Sequence, residues 1–289
     1  MRIIGLLVTS FVLVLLQGCS AIKLGYNNAP DLIHWWVDGY ADLNGEQSLR
    51  LREDLERLQG WHRRTQLPRI AELLHQAAEL ALNDTTPEQA CTFMTAARGQ
   101  SYALLAQAEP AAVRLVTSLA PAQIDHIEAK LTKKDAEWRD DWMSNSRAKI
   151  RSRRLSKAVE RAEQFYGGLE DNQIVVLRDF IARSGFDPQR SYAERQRRQQ
   201  DLLKTLRQLS TSNGGSSLAS GQAEAAVHGF LDRALHSPDA GFRGYLEQEI
   251  KDNCKAFADL HNSTSTAQRE RAVKRLRAYE RDARELAAR

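Results

Sequence analysis

The side chains best suited to metal or nucleophilic chemistry are seven scattered histidines and three cysteines. No two histidines are four residues apart, the spacing that places a pair of imidazoles around zinc on one helix face, and no Cys-x-x-Cys pair occurs. The sequence also lacks the G-x-S-x-G, G-x-G-x-x-G and phosphate-loop patterns. We therefore expect no metal, no cofactor and no catalytic residues, and the chain is predicted not to be an enzyme.

Clustered carboxylates are the other source of acid–base chemistry. Glu53, Asp54 and Glu56 lie among arginines, as do Asp140 and Asp141. Opposite charges three or four residues apart on a helix form ion pairs on its surface. We interpret both clusters as solvated ion pairs.

Cys19 has the most specific chemical context. Arg2 precedes an apolar run over residues 3–16, which is shorter than a membrane-spanning helix. A charged start, a short apolar run and a small residue, Gly18, are typical of a secretory signal. We expect residues 1–18 to be a signal peptide and residues 19–30 to be a tether. An uncleaved anchor, or a signal with an incidental cysteine, is the alternative.

The segment Leu16 to Cys19 (LQGC) resembles the lipobox of bacterial lipoproteins. That resemblance implies acylation of the Cys19 thiol and cleavage before it, although Gln17 is larger than the usual residue at its position. Two or more buried acyl chains anchor a protein stably. Ser20 stands where inner-membrane retention usually shows aspartate, so the resemblance implies an outer-membrane lipoprotein that faces the periplasm.

Cys91 and Cys254 are the two remaining cysteines. In an oxidising compartment, two thiols left over often pair. A bridge between them would close a loop of more than a hundred residues. The sequence leaves open whether they form this disulfide or pack as two buried thiols.

Trp35 and Trp36 follow the predicted anchor by about sixteen residues. Tryptophan favours the membrane interface, so both are candidates for membrane contact. Consecutive residues on a helix point about 100° apart. We therefore expect at least one of the two side chains to enter the core.

A basic run provides a candidate anion site. Arg147, Arg151 and Arg154 share one helix face, and guanidinium groups bind phosphates and carboxylates in pairs of hydrogen bonds. Lipopolysaccharide and peptidoglycan both offer such groups. The alternative is a solvated face in a chain that is rich in arginine.

The elements that position these residues are predicted to be helical throughout. The 289 residues are 42% apolar and contain only 16 glycines and 7 prolines, and apolar side chains recur at helical spacing. We expect an all-α, elongated multi-helix bundle of long amphipathic helices, with its main body over residues 31–209. Pro68 and Pro110 are predicted to break helices, as is the segment 144–146.

Residues 210–221 (STSNGGSSLASG) form a low-complexity stretch and are predicted to be a flexible linker or loop. The C-terminal helices, residues 222–289, are expected to pack on the main body. The mature charge is near +3, because removing residues 1–18 takes away only Arg2 from the net charge of +4. This is too weak a charge to predict nucleic-acid binding.

One pattern recurs at predicted helix starts. Its five copies end in glutamine, at Gln47, Gln89, Gln123, Gln173 and Gln268. A short polar residue before the helix and a glutamine three residues later form a capping box, in which each side chain bonds the other's backbone N–H. We interpret the copies as helix N-termini, of which Thr86-Pro87-Glu88-Gln89 is the strongest.

These copies resemble the Leu-Thr-x-x-Gln signature of small helical periplasmic proteins of the Spy and CpxP type, over about five residues each. A likeness over most of the mature chain, carried by the lipobox, WWVDGYADL and LRLREDLERLQGWHRRTQLPRIAELL, is to a family of uncharacterised all-helical Gram-negative lipoproteins. That family implies a fold and a location but no activity.

The sequence therefore favours a lipid-anchored protein that binds envelope proteins, in a chaperone-like or stress-related role. The alternative is a structural adaptor that contacts peptidoglycan, lipopolysaccharide or an envelope protein complex. Client binding would require an exposed apolar concavity in the folded body.

Overall fold

The computed structural model describes residues 17–211 and 220–289, which are almost entirely helical and contain no strand. The predicted all-α fold is confirmed. The predicted signal peptide and linker lie largely outside the described residues.

The helices are α1 (Gln17–Asn27), α2 (Ala29–Ala41), α3 (Gly45–Trp61), α4 (Leu67–Leu80), α5 (Pro87–Thr117), α6 (Pro121–Trp142), α7 (Arg147–Tyr166), α8 (Asp171–Arg183), α9 (Pro188–Thr211), α10 (Ser220–Leu235), α11 (Ala240–Asn262) and α12 (Thr266–Ala287).

The three predicted breaks have different outcomes. The break at 144–146 is confirmed, and Ser146 caps α7 by accepting a hydrogen bond from the Lys149 N–H. A π-helical turn, His62–Gln66, separates α3 from α4, and Pro68 lies in the first turn of α4, where its missing N–H costs little. The break at Pro110 is wrong: α5 continues through it. Pro110 is on the exposed side, where water can satisfy the backbone carbonyl that the proline leaves unpaired.

The first and last described helices pack together. Helix α12 lies along α4 and also contacts α1 and α7, while α11 packs on α5 and α8. Leu67 and Ala71 of α4 are buried against Ala283 and Leu286 of α12. A separate apolar cluster joins the end of α2 to α5, α6 and α9. The C-terminal helices therefore form part of the same packed body as the N-terminal ones.

A buried carboxylate links α4 to α12. Glu280 accepts hydrogen bonds from Arg277 (2.8 Å) and Arg284 (2.9 Å), and its Oε1 lies 3.1 Å from Nδ1 of His75 on α4. The Arg277 hydrogen bond, with help from Arg284 and His75, lowers the pKa of Glu280 to about 2. A carboxyl group with a lowered pKa stabilises the fold above its ordinary pKa, and this stabilisation is lost as the pH falls through the lowered value.

We therefore expect Glu280→Gln to be less stable than the wild-type chain at pH 7 and to approach it in stability near pH 2. Urea unfolding at pH 7, 4 and 2 measures the difference. Glu270→Gln is the matched control, because Glu270 is exposed on the same helix and makes no ion pair within the described residues. A stability difference that stays constant with pH would contradict the assigned role of Glu280.

Candidate binding groove

An apolar groove lies between α6 and α9, with α2, α5 and α11 at its edges; we call it the α6–α9 groove. Its volume is about 620 Å³. Four of its lining residues, which are Ala41, Leu119, Ile127 and Leu206, belong to the buried core, so the groove floor is a continuation of that core. Leu131 and Leu202 are partly buried farther along α6 and α9. The groove is thus an exposed concavity with an apolar floor.

Aromatic side chains lie along the groove. Trp36 and Tyr40 come from α2, Trp138 from α6 and Phe242 from α11. The Trp138 ring stacks on Tyr192 of α9 with centroids 5.4 Å apart, which fixes its position. Aromatic rings contribute large contact areas at low cost in side-chain entropy and are enriched where proteins bind partners.

The charged residues of the groove are already paired. Glu194 accepts hydrogen bonds from Arg197 and Arg198 at 2.8 Å and from Ser237 at 2.9 Å. Burial alone would raise the pKa of Glu194, but these hydrogen bonds outweigh it and lower the pKa. Arg195 donates to Asp135 at 2.6 Å. The groove therefore offers an apolar surface bordered by ion pairs.

The first pair of capping glutamines lies beside this groove. Gln47 Nε2 donates to Gln123 Oε1 at 3.1 Å, and Gln123 Nε2 donates to Gln47 Oε1 at 2.8 Å. Each amide also donates to the carbonyl five residues before its partner: Gln47 to Ser118 (2.7 Å) and Gln123 to Asp42 (2.8 Å). The exchange fixes the start of α3 against the start of α6.

The second pair repeats this arrangement in the C-terminal half. Gln173 Nε2 donates to Gln268 Oε1 at 2.7 Å, and Gln268 Nε2 donates to Gln173 Oε1 at 2.9 Å. Gln173 also donates to the Ser263 carbonyl (3.1 Å) and Gln268 to the Gly168 carbonyl (3.0 Å), again five residues before the partner. Both glutamines are buried, so these bonds are shielded from water.

Gln89, in the one copy outside these two pairs, caps α5 but does not pair. Its Oε1 accepts from the Thr86 N–H at 2.9 Å, while its exposed amide nitrogen has no partner within the described residues. The capping interpretation from the sequence accounts for every side-chain hydrogen bond between Gln89 and Thr86. It does not predict that the other four glutamines pair through their amides, because the paired residues are 76 and 95 positions apart in the sequence.

Cys91 and Cys254 form a disulfide that joins α5 to α11, with their Cα atoms 5.3 Å apart. The pairing that the sequence leaves open is thus made in the structure. Cys254 is fully buried, and its sulfur lies 3.7 Å from that of Met94.

The expectation that Trp35 or Trp36 enters the core is wrong. Trp35 is 74% exposed and Trp36 is 58% exposed. The side of α2 that faces inward carries His34 instead, whose Nε2 lies 2.6 Å from the Ser48 hydroxyl of α3. Both indoles are therefore exposed, and Trp36 borders the α6–α9 groove.

The three candidate anion-binding arginines do not form one open face. Arg147 and Arg151 are exposed. Arg154 is half-buried: it donates to the Ser184 hydroxyl at 2.9 Å and lies 4.6 Å from the centre of the Phe186 ring. Burial lowers the pKa of Arg154. Its guanidinium group is thus used within the fold, and two of the three arginines remain accessible.

The carboxylate clusters are only partly solvated. Asp54 is buried and accepts hydrogen bonds from Arg57 (2.6 Å) on its own helix and from Arg114 Nε (3.2 Å) on α5. The interpretation of Asp54 as a solvated residue is therefore wrong. Among the described residues, no group of histidine, cysteine and carboxylate side chains is arranged to hold a metal ion.

Cys19 lies in α1, a helix that packs on α12. The predicted tether is therefore helical over much of its length. None of the described helices combines the length and the apolar character that crossing a bilayer requires.

A model for a family of unknown function (DUF6279) matches residues 39–215, more than half of the chain. The matched segment runs from the end of α2 to just beyond α9. It includes most of the groove lining but excludes Trp36, Val37 and Phe242. No curated protein and no solved structure matches the chain.

Proposed function

We propose that this chain, which belongs to the family of unknown function DUF6279, is a lipid-anchored protein at the periplasmic side of the outer membrane. There it binds apolar segments of envelope proteins. The α6–α9 groove is the observation that carries this proposal. Its volume is within the range of natural ligand sites.

The shape and chemistry of the groove favour a polypeptide segment. The face of an amphipathic helix presents apolar side chains at positions i, i+3, i+4 and i+7, and such helices bind in apolar grooves between helices. Leu131 and Leu202 would contact those side chains, and Trp36 and Trp138 would cover them from the sides. The paired charges of Glu194 and Arg198 would remain beside the polar face of the bound segment.

The location rests on Cys19. The lipobox-like segment ending at Cys19 supports an acyl anchor, and the Cys91–Cys254 disulfide is consistent with an oxidising compartment such as the periplasm. A chaperone-like role in that compartment requires capture of unfolded chains without chemical change. The groove supports this role because it offers apolar contact area.

The test places a charge in the groove. We expect Leu131→Asp to abolish suppression of light scattering when urea-unfolded malate dehydrogenase is diluted into buffer with the protein, because a buried carboxylate opposes apolar contact. The matched control is Leu105→Asp, since Leu105 is an exposed leucine of α5 outside the groove. Equal suppression by both variants, each with a wild-type circular dichroism spectrum, would contradict the proposal. If Leu131→Asp does not fold, Trp138→Ser repeats the test.

The second candidate function is a structural adaptor that contacts peptidoglycan, lipopolysaccharide or an envelope complex. The exposure of Arg147 and Arg151 supports it, although Arg154 is engaged with Ser184. This function does not need the groove. Leu131→Asp would then leave envelope association unchanged, which separates the two candidates.

A further inference from the structure

Exposed apolar side chains are concentrated near the N-terminus of the described structure. Of the fourteen large apolar side chains that are exposed among the described residues, seven lie between residues 22 and 49. These are Ile22, Leu24, Leu32, Ile33, Trp35, Trp36 and Leu49. Single exposed apolar residues are ordinary, whereas a contiguous exposed apolar surface marks an interaction site.

The surface is centred on α2. Leu32, Trp35 and Trp36 have i, i+3, i+4 spacing and therefore lie on one side of the helix. The only acidic residue in the first turn of α2, Asp31, is hydrogen-bonded to Arg52 of α3 at 2.8 Å. The stripe itself is thus uncharged.

Helix α1 holds this surface next to Cys19. Lys23 of α1 lies 2.6 Å from Glu285 and 3.2 Å from Asp282 of α12. The Gln59 amide of α3 donates to the Tyr26 carbonyl at 2.6 Å. Because α1 is bound at these points, it cannot act as a long extended spacer. The thirteen residues that follow Cys19 up to Leu32 are helical except for the turn at Asn28 and span at most about 20 Å at 1.5 Å per residue. An anchored chain therefore keeps the stripe close to the lipid.

We propose that the α2 stripe, with Ile22, Leu24 and Leu49, is a bilayer-docking face that enters the interfacial region of the leaflet holding Cys19. This inference rests on the proposed anchor and goes beyond it, because an acyl chain alone would leave the orientation of the body free. Tryptophan prefers the interface between headgroups and acyl chains. Trp36 also lines the groove, so docking places the groove mouth beside the membrane surface.

A bilayer is favoured over a second copy of the chain by continuity. The exposed residues begin on α1, the helix that carries the predicted acylation position, and continue onto α2 and α3. An acylated Cys19 brings a bilayer to this surface on every molecule and at every protein concentration. A second copy would need a protein concentration near its dissociation constant.

The experiment measures tryptophan quenching in the full chain, produced in a host that can process it. The protein is mixed with vesicles of phosphatidylethanolamine and phosphatidylglycerol that contain brominated acyl chains. The chain has five tryptophans. We expect vesicle quenching of the wild-type chain to be at least twofold greater than that of Trp35→Phe/Trp36→Phe. The control Trp138→Phe/Trp142→Phe retains the stripe and should show at least the wild-type fraction of quenching.

The outcomes separate the face from the anchor. Intact mass reports acylation, and flotation reports vesicle binding. An acylated chain that floats but is not quenched overturns the docking face and leaves the anchor. A chain without an acyl group contradicts the anchor. In that case, quenching of Trp35 and Trp36 on mixing with vesicles would still support the docking face, and its absence would overturn it. Sedimentation that shows a dimer lost in Trp35→Ser, without quenching, would assign the surface to a second copy.

Discussion

Replacing Cys91 and Cys254 together with alanine should lower the free energy of unfolding by about 5 kcal/mol, the largest loss that we expect from any change considered. The bond joins residues 163 positions apart. In the chain-entropy treatment, a cross-link restricts the unfolded chain more as the loop grows, and a loop of about 100 residues already contributes about 4.7 kcal/mol. Urea unfolding monitored by circular dichroism measures the loss.

Reduction of the wild-type chain provides the control for the disulfide prediction. Reduction opens the loop but keeps both sulfur atoms, so it isolates loop closure from the small cavity that alanine leaves at the buried Cys254 position. We expect the reduced chain to account for most of the loss in the double variant. A difference below about 1 kcal/mol between reduced and oxidised chains would contradict the entropic account.

Substitution of Gln173 by alanine should cost about 3 kcal/mol of stability, because it leaves buried polar groups without partners. The variant loses the donations to Gln268 and to the Ser263 carbonyl, and it loses the acceptor of the Glu170 N–H. Urea unfolding of the purified chain measures the effect. Gln268→Ala should cost a similar amount, since its bonds mirror those of Gln173.

Gln89→Ala is the matched control for the paired glutamines. Gln89 caps its helix in the same way but has no paired amide within the described residues, so we expect a cost of about 1 kcal/mol or less. A double-mutant cycle between Gln173 and Gln268 should show a coupling energy above about 1 kcal/mol. If Gln173→Ala costs no more than Gln89→Ala, the pairing does not contribute to stability.

Local patterns predict much of this fold. Helical periodicity and the capping residues identify the helices, and the break at residues 144–146 follows from short polar residues that favour caps over helix interiors. Pro110 is the exception because proline propensity is local, while the continuation of α5 depends on packing on both sides of the proline and on solvent at its own position.

The candidate site could be predicted far less well. The groove combines α2, α5, α6, α9 and α11, so no sequence window contains it. At this point of α2 the buried residue is His34, which contacts Ser48, and both Trp35 and Trp36 are exposed; helical periodicity does not reveal this choice. The sequence identifies the glutamine copies as helix caps, and their repetition is the only sequence signal of a further role for these side chains. Which copies pair depends on the helix packing order.

The order in which the chain is made bears on the contact between α4 and α12. Most of the contacts of α4 come from α12 and cannot form until residues 266–287 are synthesised, and the disulfide and the second glutamine pair also need partners beyond residue 250. Contacts between such distant segments form slowly, because long loops must close first. A ribosome-bound chain would therefore lack the α12 cover of α4 until residues 266–287 are made, and these contacts would form late in folding.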